Sequence, residues 1–339
     1  MPDVNQNEGP EPSIDRFEAY EDLFDPLRTD RQARRRLKPR VVQKHEKPRS
    51  EILAELGEVT GQGAEFETSY HPSRHEEGWL LGSVRSFFEE AWIVDVLARV
   101  RGGKEASVYR CQAHPRTDLD LLAAKVYRPH MFRSLRNDAM YREGREVLAG
   151  DGKVVKKTDD RVMRALGKKT TFGLQVAHTS WLMHEYTTMR RLYDAGGAVP
   201  RPIAATDNAI LMEYVGDAQR AAPMLSEVAL GPREARELWE VVLRNMHLLL
   251  QQGLVHGDLS AYNILYWQGE IAIIDFPQVT AIEGNQSARG ILERDVRRVC
   301  EYFAGQGVER DPEALAAELW SQYAPPSVRE PLVAGEMTW

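Results

Sequence analysis

The chain has 339 residues, 42% of them hydrophobic and 28% charged, and a formal net charge of −7. That length allows one large domain or two ordinary ones, and an 8% aromatic content excludes wholesale disorder. Two distant cysteines, Cys111 and Cys300, exclude a disulfide scaffold and a structural zinc site; with no long apolar run, a reduced, soluble, cytoplasmic protein is expected.

The charge is unevenly spread. Residues 1–27 carry eight acids against Arg16, whereas residues 28–49 carry ten bases against Asp30 and Glu46. Blocks of like charge with little apolar content stay solvated, so residues 1–75 read as a charged, disordered tail. Its basic part is either half of an ampholytic pair or an arm for RNA, a ribosomal particle or an acidic partner.

From Trp79 the pattern changes. SVRSFFEEAW predicts a short helix capped by Ser83, and IVDVLARV, RGGKEA and SVYRCQA predict strand, glycine turn and strand. Residues 118–128 predict a further strand. Residues 128–180 hold twelve Lys and Arg against six Asp and Glu and read as a long, partly helical insertion. TSWLMHEYTTMRRLYDAGG then predicts a helix capped by Thr179 or Ser180, stopped at Gly196, and carrying Trp181, Glu185 and Leu192 on one face. AILMEYVG reads as a buried strand. PREARELWEVVLRNMHLLLQQG is an amphipathic helix with Pro232 in its first turn and Gly253 as its stop. The loop LVHGDLSAYN, the strands ILYW and IAIID, and two further helices complete the chain. The fold class expected is α+β and two-lobed: a β-rich lobe over 76–216, then a mainly helical lobe over 217–339, with the cleft between them.

Three separated features carry chemistry. Gly102 and Gly103 in the turn before Lys104, Glu105 and Ser107 let backbone N–H groups approach a phosphate, although a plain hairpin turn explains them equally well. Lys125, projecting from an apolar strand, needs a counter-charge that Glu185 can supply, unless it is simply a solvated strand-edge lysine. The third feature is specific. Asp258 and Asn263 are five residues apart in His256-Gly257-Asp258-Leu259-Ser260-Ala261-Tyr262-Asn263, and Asp275 follows twelve later at the end of a strand. That pattern suits one carboxylate facing a substrate hydroxyl, with an amide and a second carboxylate holding Mg2+ for phosphoryl transfer.

HGDLSAYNILY, IIDFPQ and GGKEASVY together resemble the RIO family of atypical protein kinases, over about residues 80–305. HGDLSxYN alone is shared with aminoglycoside-type phosphotransferases; the GKEASVY turn and DFPQ loop point to RIO proteins. The charged tail is not the winged-helix domain of one RIO branch, so the likeness is to the branch lacking it. The resemblance implies a two-lobed kinase fold and a Ser/Thr protein kinase using ATP and Mg2+, with Mn2+ as a substitute, on protein substrates including itself. It also implies roles. Lys125 contacts phosphates and pairs with Glu185, while Gly103, Lys104, Glu105 and Ser107 cover the phosphates. Met212 is the gatekeeper, and Glu213, Tyr214 and Val215 form the hinge reading adenine. Asp258 is catalytic, Asn263 and Asp275 bind Mg2+, and Asp275 can itself receive the phosphoryl group. Two other readings remain open here: an ATPase switch docking on RNA or a ribosomal particle, and a small-molecule phosphotransferase.

Overall fold

Alternation of apolar residues along five short strands builds the first half of the molecule. The computed structural model describes residues 68–103, 105–128, 145–156, 158–168 and 170–326. Most of the charged tail (residues 1–67), Lys104 and residues 129–144 of the basic insertion therefore lie outside the described residues. Strands β1 (Ile93–Gly102), β2 (Ala106–Ala113), β3 (Leu121–Tyr127), β4 (Pro202–Ala205) and β5 (Ala209–Glu213) form one antiparallel sheet in the order β1-β2-β3-β5-β4. Side chains of successive strand residues point to opposite faces, which gives the sheet two buried surfaces. Tyr109, Cys111, Leu122, Ala124 and Leu211 pack on one face under helix α1 (Arg74–Glu89), whose Leu80, Val84 and Phe87 meet them. Ala123, Tyr127, Ile210 and Met212 face the other way and join the core of the helical half.

Helix α1 begins nine residues before the expected cap. Ser73 precedes its first turn, and Ser83 lies mid-helix with its hydroxyl donating to Trp79 O at 2.7 Å. Its start is anchored by long-range contacts that local signals do not reveal. Buried Glu76 accepts hydrogen bonds from the hydroxyls of Tyr70 and Tyr109, and Tyr70 N donates to Val96 O.

Within the insertion, helix α2 (Asp160–Gly167) is capped by Asp159, and α3 (Thr171–Asp194) is capped by Thr170, whose hydroxyl accepts from Gly173 N at 3.1 Å. The expected cap at Thr179 or Ser180 is thus replaced by an earlier one. Both residues are buried inside the helix, and Ser180 Oγ accepts from Leu148 N instead. Tertiary packing extends α3 by about two turns beyond what its amphipathic stretch suggests.

The helical half follows the sequence pattern closely. Helix α4 (Pro232–Gln251) buries Leu238, Trp239, Val242, Met246 and Leu249, with Pro232 in its first turn. Helix α6 (Pro312–Tyr323) packs on α4 and on α5 (Ala288–Gly305), and the Phe303 ring of α5 meets Trp239 of α4 edge-on. The pairs β6 (Leu254–Val255) with β9 (Thr280–Ala281), and β7 (Ile264–Trp267) with β8 (Glu270–Ile273), frame the polar loops between them. This is a two-lobed, protein-kinase-like α+β architecture.

Candidate active site

Lys125 lies on β3 opposite Ile210 of β5 and shares its face with Ala123 and Tyr127, so strand alternation turns it toward the helical half. Its ammonium lies 2.6 Å from Glu185 Oε1, on α3, and 2.5 Å from Asp275 Oδ1. Glu185 is buried, and its other carboxylate oxygen accepts from the Tyr127 hydroxyl. Burial alone would lower the Lys125 pKa, but the two carboxylates outweigh it and hold the ammonium well above the usual lysine range. Burial would raise Asp275, and Lys125 reverses that, so its carboxyl is held below the ordinary range. Asp275 does not end β8. It lies two residues past Ile273 with φ +71°, in the left-handed region that few non-glycine residues adopt and that aspartate tolerates better than most. With 38% of its side chain exposed, against 3% for Glu185, Asp275 is the carboxylate of this cluster that a ligand can reach.

The second half of the site is the loop after β6. The 3-10 turn Ala261–Asn263 brings the Asn263 amide back onto Asp258: Nδ2 donates to the Asp258 carbonyl at 2.8 Å and to its Oδ2 at 2.9 Å. That leaves the Asn263 amide oxygen able to accept a cation. Gly257, with φ +87°, is required here, because a Cβ would stand 2.1 Å from Gln278 O in the loop beyond Asp275. His256 is buried. Its Nδ1 accepts from Asp258 N, and its Nε2 faces Ile274 O at 3.2 Å. Burial drives its pKa down to about 4, so the ring is neutral and bridges the two carboxylate-bearing segments. Burial also raises the Asp258 pKa, against the opposing charge of Arg298 and with the help of Asp275.

The structure thus brings Lys125, Glu185 and Asp275 into one contact set and Asp258 and Asn263 into another. Gly103 sits in the β1–β2 turn, where its N–H donates to Ala106 O at 2.9 Å, and Glu105 follows before β2. Lys104 lies outside the described residues. Ser107 is a correction. It is 1% exposed, pairs with Val126, and shares its strand face with Tyr109 and Cys111, toward α1. A hydroxyl on that face cannot cover a phosphate in the cleft; Ala106 and Val108 are the residues on the cleft side, packed against the shared core. Met212 closes the inner face of β5 opposite Ala123. Past it, Glu213 N donates to Arg201 O at 2.8 Å, and Val215 O accepts from Ala222 N at 3.0 Å. The Val215 N–H has no partner among the described residues, so it is open to a ligand edge.

Sequence reasoning assigned no role to three α5 residues that hold the Asp258 loop. Asp295 accepts from Gly257 N at 2.8 Å, Arg294 donates to Gly257 O, and Arg298 donates to Asp258 Oδ1 at 2.7 Å. Their signal was present: three charges within ILERDVRRVCEYF fall among the buried Ile291, Leu292, Val296, Val299 and Phe303. A charge on a buried helix face must have a partner. Arg145 also went unassigned. It donates to Pro277 O and Val279 O, tying the insertion to the Asp275 loop.

A family model described as the RIO domain matches residues 139–315. Among curated proteins, the RIO-type serine/threonine-protein kinase Rio1 of Haloferax volcanii is 33% identical over 216 residues, which cover 63% of this chain and 64% of that protein. Serine/threonine-protein kinase RIO1 of Chaetomium thermophilum is 30% identical over 64% of this chain and 41% of that protein. For Rio1 of Thermoplasma acidophilum the values are 30% identity, 40% and 69%. The matched region thus spans about two-fifths to two-thirds of these relatives' lengths. In fold, the chain resembles the crystal structure of the Rio2 kinase–ADP/Mg2+–phosphoaspartate complex from Chaetomium thermophilum, with a TM-score of 0.50 and 18% identity over 82% of this chain and 76% of that one.

Proposed function

The chain belongs to the RIO domain family, and from that premise we propose that it is an ATP- and Mg2+-dependent serine/threonine protein kinase that also phosphorylates itself. The observation that carries the reading is the Lys125 ammonium held between Glu185 and Asp275, with Asp258 and Asn263 hydrogen-bonded to each other on the loop that precedes Asp275 in the chain. In this reading the nucleotide-covering lobe starts before the expected residue 76, since Tyr70 N donates to Val96 O and α1 begins at Arg74; it runs to 216, with 217–339 the catalytic lobe and a charged tail ahead of both. The two buried, unpaired thiols support a reducing, cytoplasmic setting.

The donor set fits the metal. Asp275 offers an accessible carboxylate and Asn263 an uncommitted amide oxygen, the hard oxygen ligands that Mg2+ prefers and Mn2+ also accepts. Bound there, Mg2+ supplies neutralisation of phosphate charge. The protein's own residues do the rest. Lys125, kept protonated by its two carboxylates, holds the nucleotide phosphates with Glu185 as its anchor. The Gly103–Ala106 turn, closed by the Gly103 N–H to Ala106 O bond, covers the phosphates. Met212, Glu213, Tyr214 and Val215 receive the base, and the Val215 N–H, which has no partner among the described residues, serves as donor. Asp258 orients the acceptor hydroxyl and takes its proton as the new O–P bond forms and the β–γ bridge breaks, releasing ADP.

Incubation with γ-labelled ATP and Mg2+ tests this directly. Label is expected on serine or threonine of the chain and of added protein, and Asp258→Asn is expected to lower transfer by about 10²- to 10⁴-fold. Wild-type chain that binds ATP yet transfers no label to any hydroxyl would overturn it. A second reading has its own support: Asp275 lies beside Lys125, and the Rio2 complex of similar fold contains a phosphoaspartate. In that reading an Asp275 oxygen takes the γ-phosphoryl group, and hydrolysis of the acyl phosphate resets a switch that docks on RNA or a ribosomal particle. The surplus of six positive charges in residues 128–180 would then face the phosphate backbone. Acid-labile label on Asp275, and phosphate release stimulated by RNA, distinguish it from the first.

A further inference from the structure

Both oxygens of the Asp258 carboxylate are engaged, and by different parts of the fold. Asn263 Nδ2 holds Oδ2 from within the loop, at 2.9 Å. Arg298 Nη1 holds Oδ1 from α5 beneath, at 2.7 Å, and only 5% of the Arg298 side chain and 13% of the Asp258 side chain reach solvent. Neighbouring α5 residues grip the preceding backbone, Asp295 at Gly257 N and Arg294 at Gly257 O. Those two set where the loop lies. Arg298 reaches the reacting side chain itself.

We propose that Arg298 is a positioning residue for phosphoryl transfer: it locks the Asp258 carboxylate in the one orientation that presents a remaining lone pair to the acceptor hydroxyl. This rests on the assignment of Asp258 as the carboxylate facing that hydroxyl. A carboxylate has about four acceptor positions, so two donors fix its plane and still leave room for the substrate. An arginine suits this role better than a lysine, because its planar group holds one direction whereas an ammonium is a mobile point charge. Arg298 also couples the two functional groups of the loop. If the Asp258 carboxylate turns, the Asn263 Nδ2 loses one of its two acceptors, while its bond to the Asp258 carbonyl keeps the amide oxygen in place.

The test uses Arg298→Met and Arg298→Lys in the full chain, with three measurements. The first needs no turnover: the side-chain amide signals of Asn263 in a ¹⁵N–¹H spectrum without nucleotide. Both variants are expected to shift or broaden these signals. The second and third are Mg·ATP affinity and kcat for transfer to the chain's own hydroxyls. Affinity is expected within twofold of wild type, since Lys125, Asp275 and the hinge are untouched. The kcat is expected to fall about 10- to 100-fold for Met and less for Lys, the size that misorientation of a reacting group produces. A merely structural role would lower affinity and kcat together and follow the melting temperature. Unchanged Asn263 signals and unchanged kcat in Arg298→Lys overturn the proposal, as does a parallel loss of affinity and kcat. Because the Lys variant keeps the buried charge paired, it decides the matter even where Arg298→Met does not fold. Wild-type chain without any transfer counts against the kinase reading, while the amide signals still report on Arg298.

Discussion

His256 shows how much one side chain in this site does without touching a substrate. Its ring spans Asp258 N and Ile274 O, and it lies 4.9 Å from the Phe276 ring, so one neutral imidazole ties the Asp258 loop to the Asp275 loop. Burial depresses its pKa from 6.5 to about 4. At neutral pH both the folded and unfolded forms are unprotonated and the residue costs nothing. Below about pH 6.5 the unfolded chain takes up a proton that the folded chain refuses until about pH 4, so stability falls as pH falls through that window. The loss by pH 4 is on the order of 3 kcal/mol. Urea titrations between pH 7 and pH 4 are expected to show this decline, and His256→Gln, which keeps a donor for Ile274 O, is expected to flatten it. An equal slope in the variant assigns the acid sensitivity to other groups. HGDLSAYN could be read as a functional loop from spacing, but the role of its histidine could not, because Ile274 and Phe276 reach the ring only through the fold.

Among the elements, α1 is where local pattern and tertiary structure diverge most. Leu80, Val84 and Phe87 recur at helical spacing and are buried against the outer sheet face, yet the acidic start of the helix at Glu76 and Glu77 is specified by Tyr70, Tyr109 and β1. Phe87 is 1% exposed and has no role in the cleft, so Phe87→Ala is expected to cost about 3–5 kcal/mol of unfolding free energy. A loss below about 1 kcal/mol in denaturant titration would mean that α1 is dispensable to the sheet. Ser107 carries a related lesson about strands. The alternation Ser107, Tyr109, Cys111 was visible in the sequence, and following the period of two through β2 would have turned the hydroxyl away from the phosphates.

At the scale of the whole molecule, the site exists only where two halves meet. Lys125 comes from the sheet, Glu185 from α3, and Asp258, Asn263 and Asp275 from loops of the helical half, while the Ala123 and Met212 face belongs to the same continuous core as Ile264 and Ile273. A nucleotide that contacts both halves therefore binds the folded state alone, and at about 100 times its Kd it adds about 2.7 kcal/mol of stability. Thermal unfolding is expected to shift upward with ATP and Mg2+ together. The shift is expected to collapse when Mg2+ is chelated by EDTA, because the Asp275 and Asn263 oxygens and the phosphates then meet without an intervening cation. A full shift in EDTA would place the nucleotide away from Asp275. Among the described residues no helix is long and apolar enough to cross a membrane.

The chain's local order determined the strand–glycine–strand hairpin, the amphipathic α4 and the spacing from Asp258 to Asn263. Each depends on neighbours within a few residues, where backbone geometry leaves little choice. Helix starts at Arg74 and Thr171, the direction of Ser107, the left-handed Asp275 and the grip of Arg294, Asp295 and Arg298 on the Asp258 loop were decided by tertiary structure. The reason is burial: a charge or hydroxyl withdrawn from water must find its partner among groups that are far away in the chain, and only the packed fold says which those are.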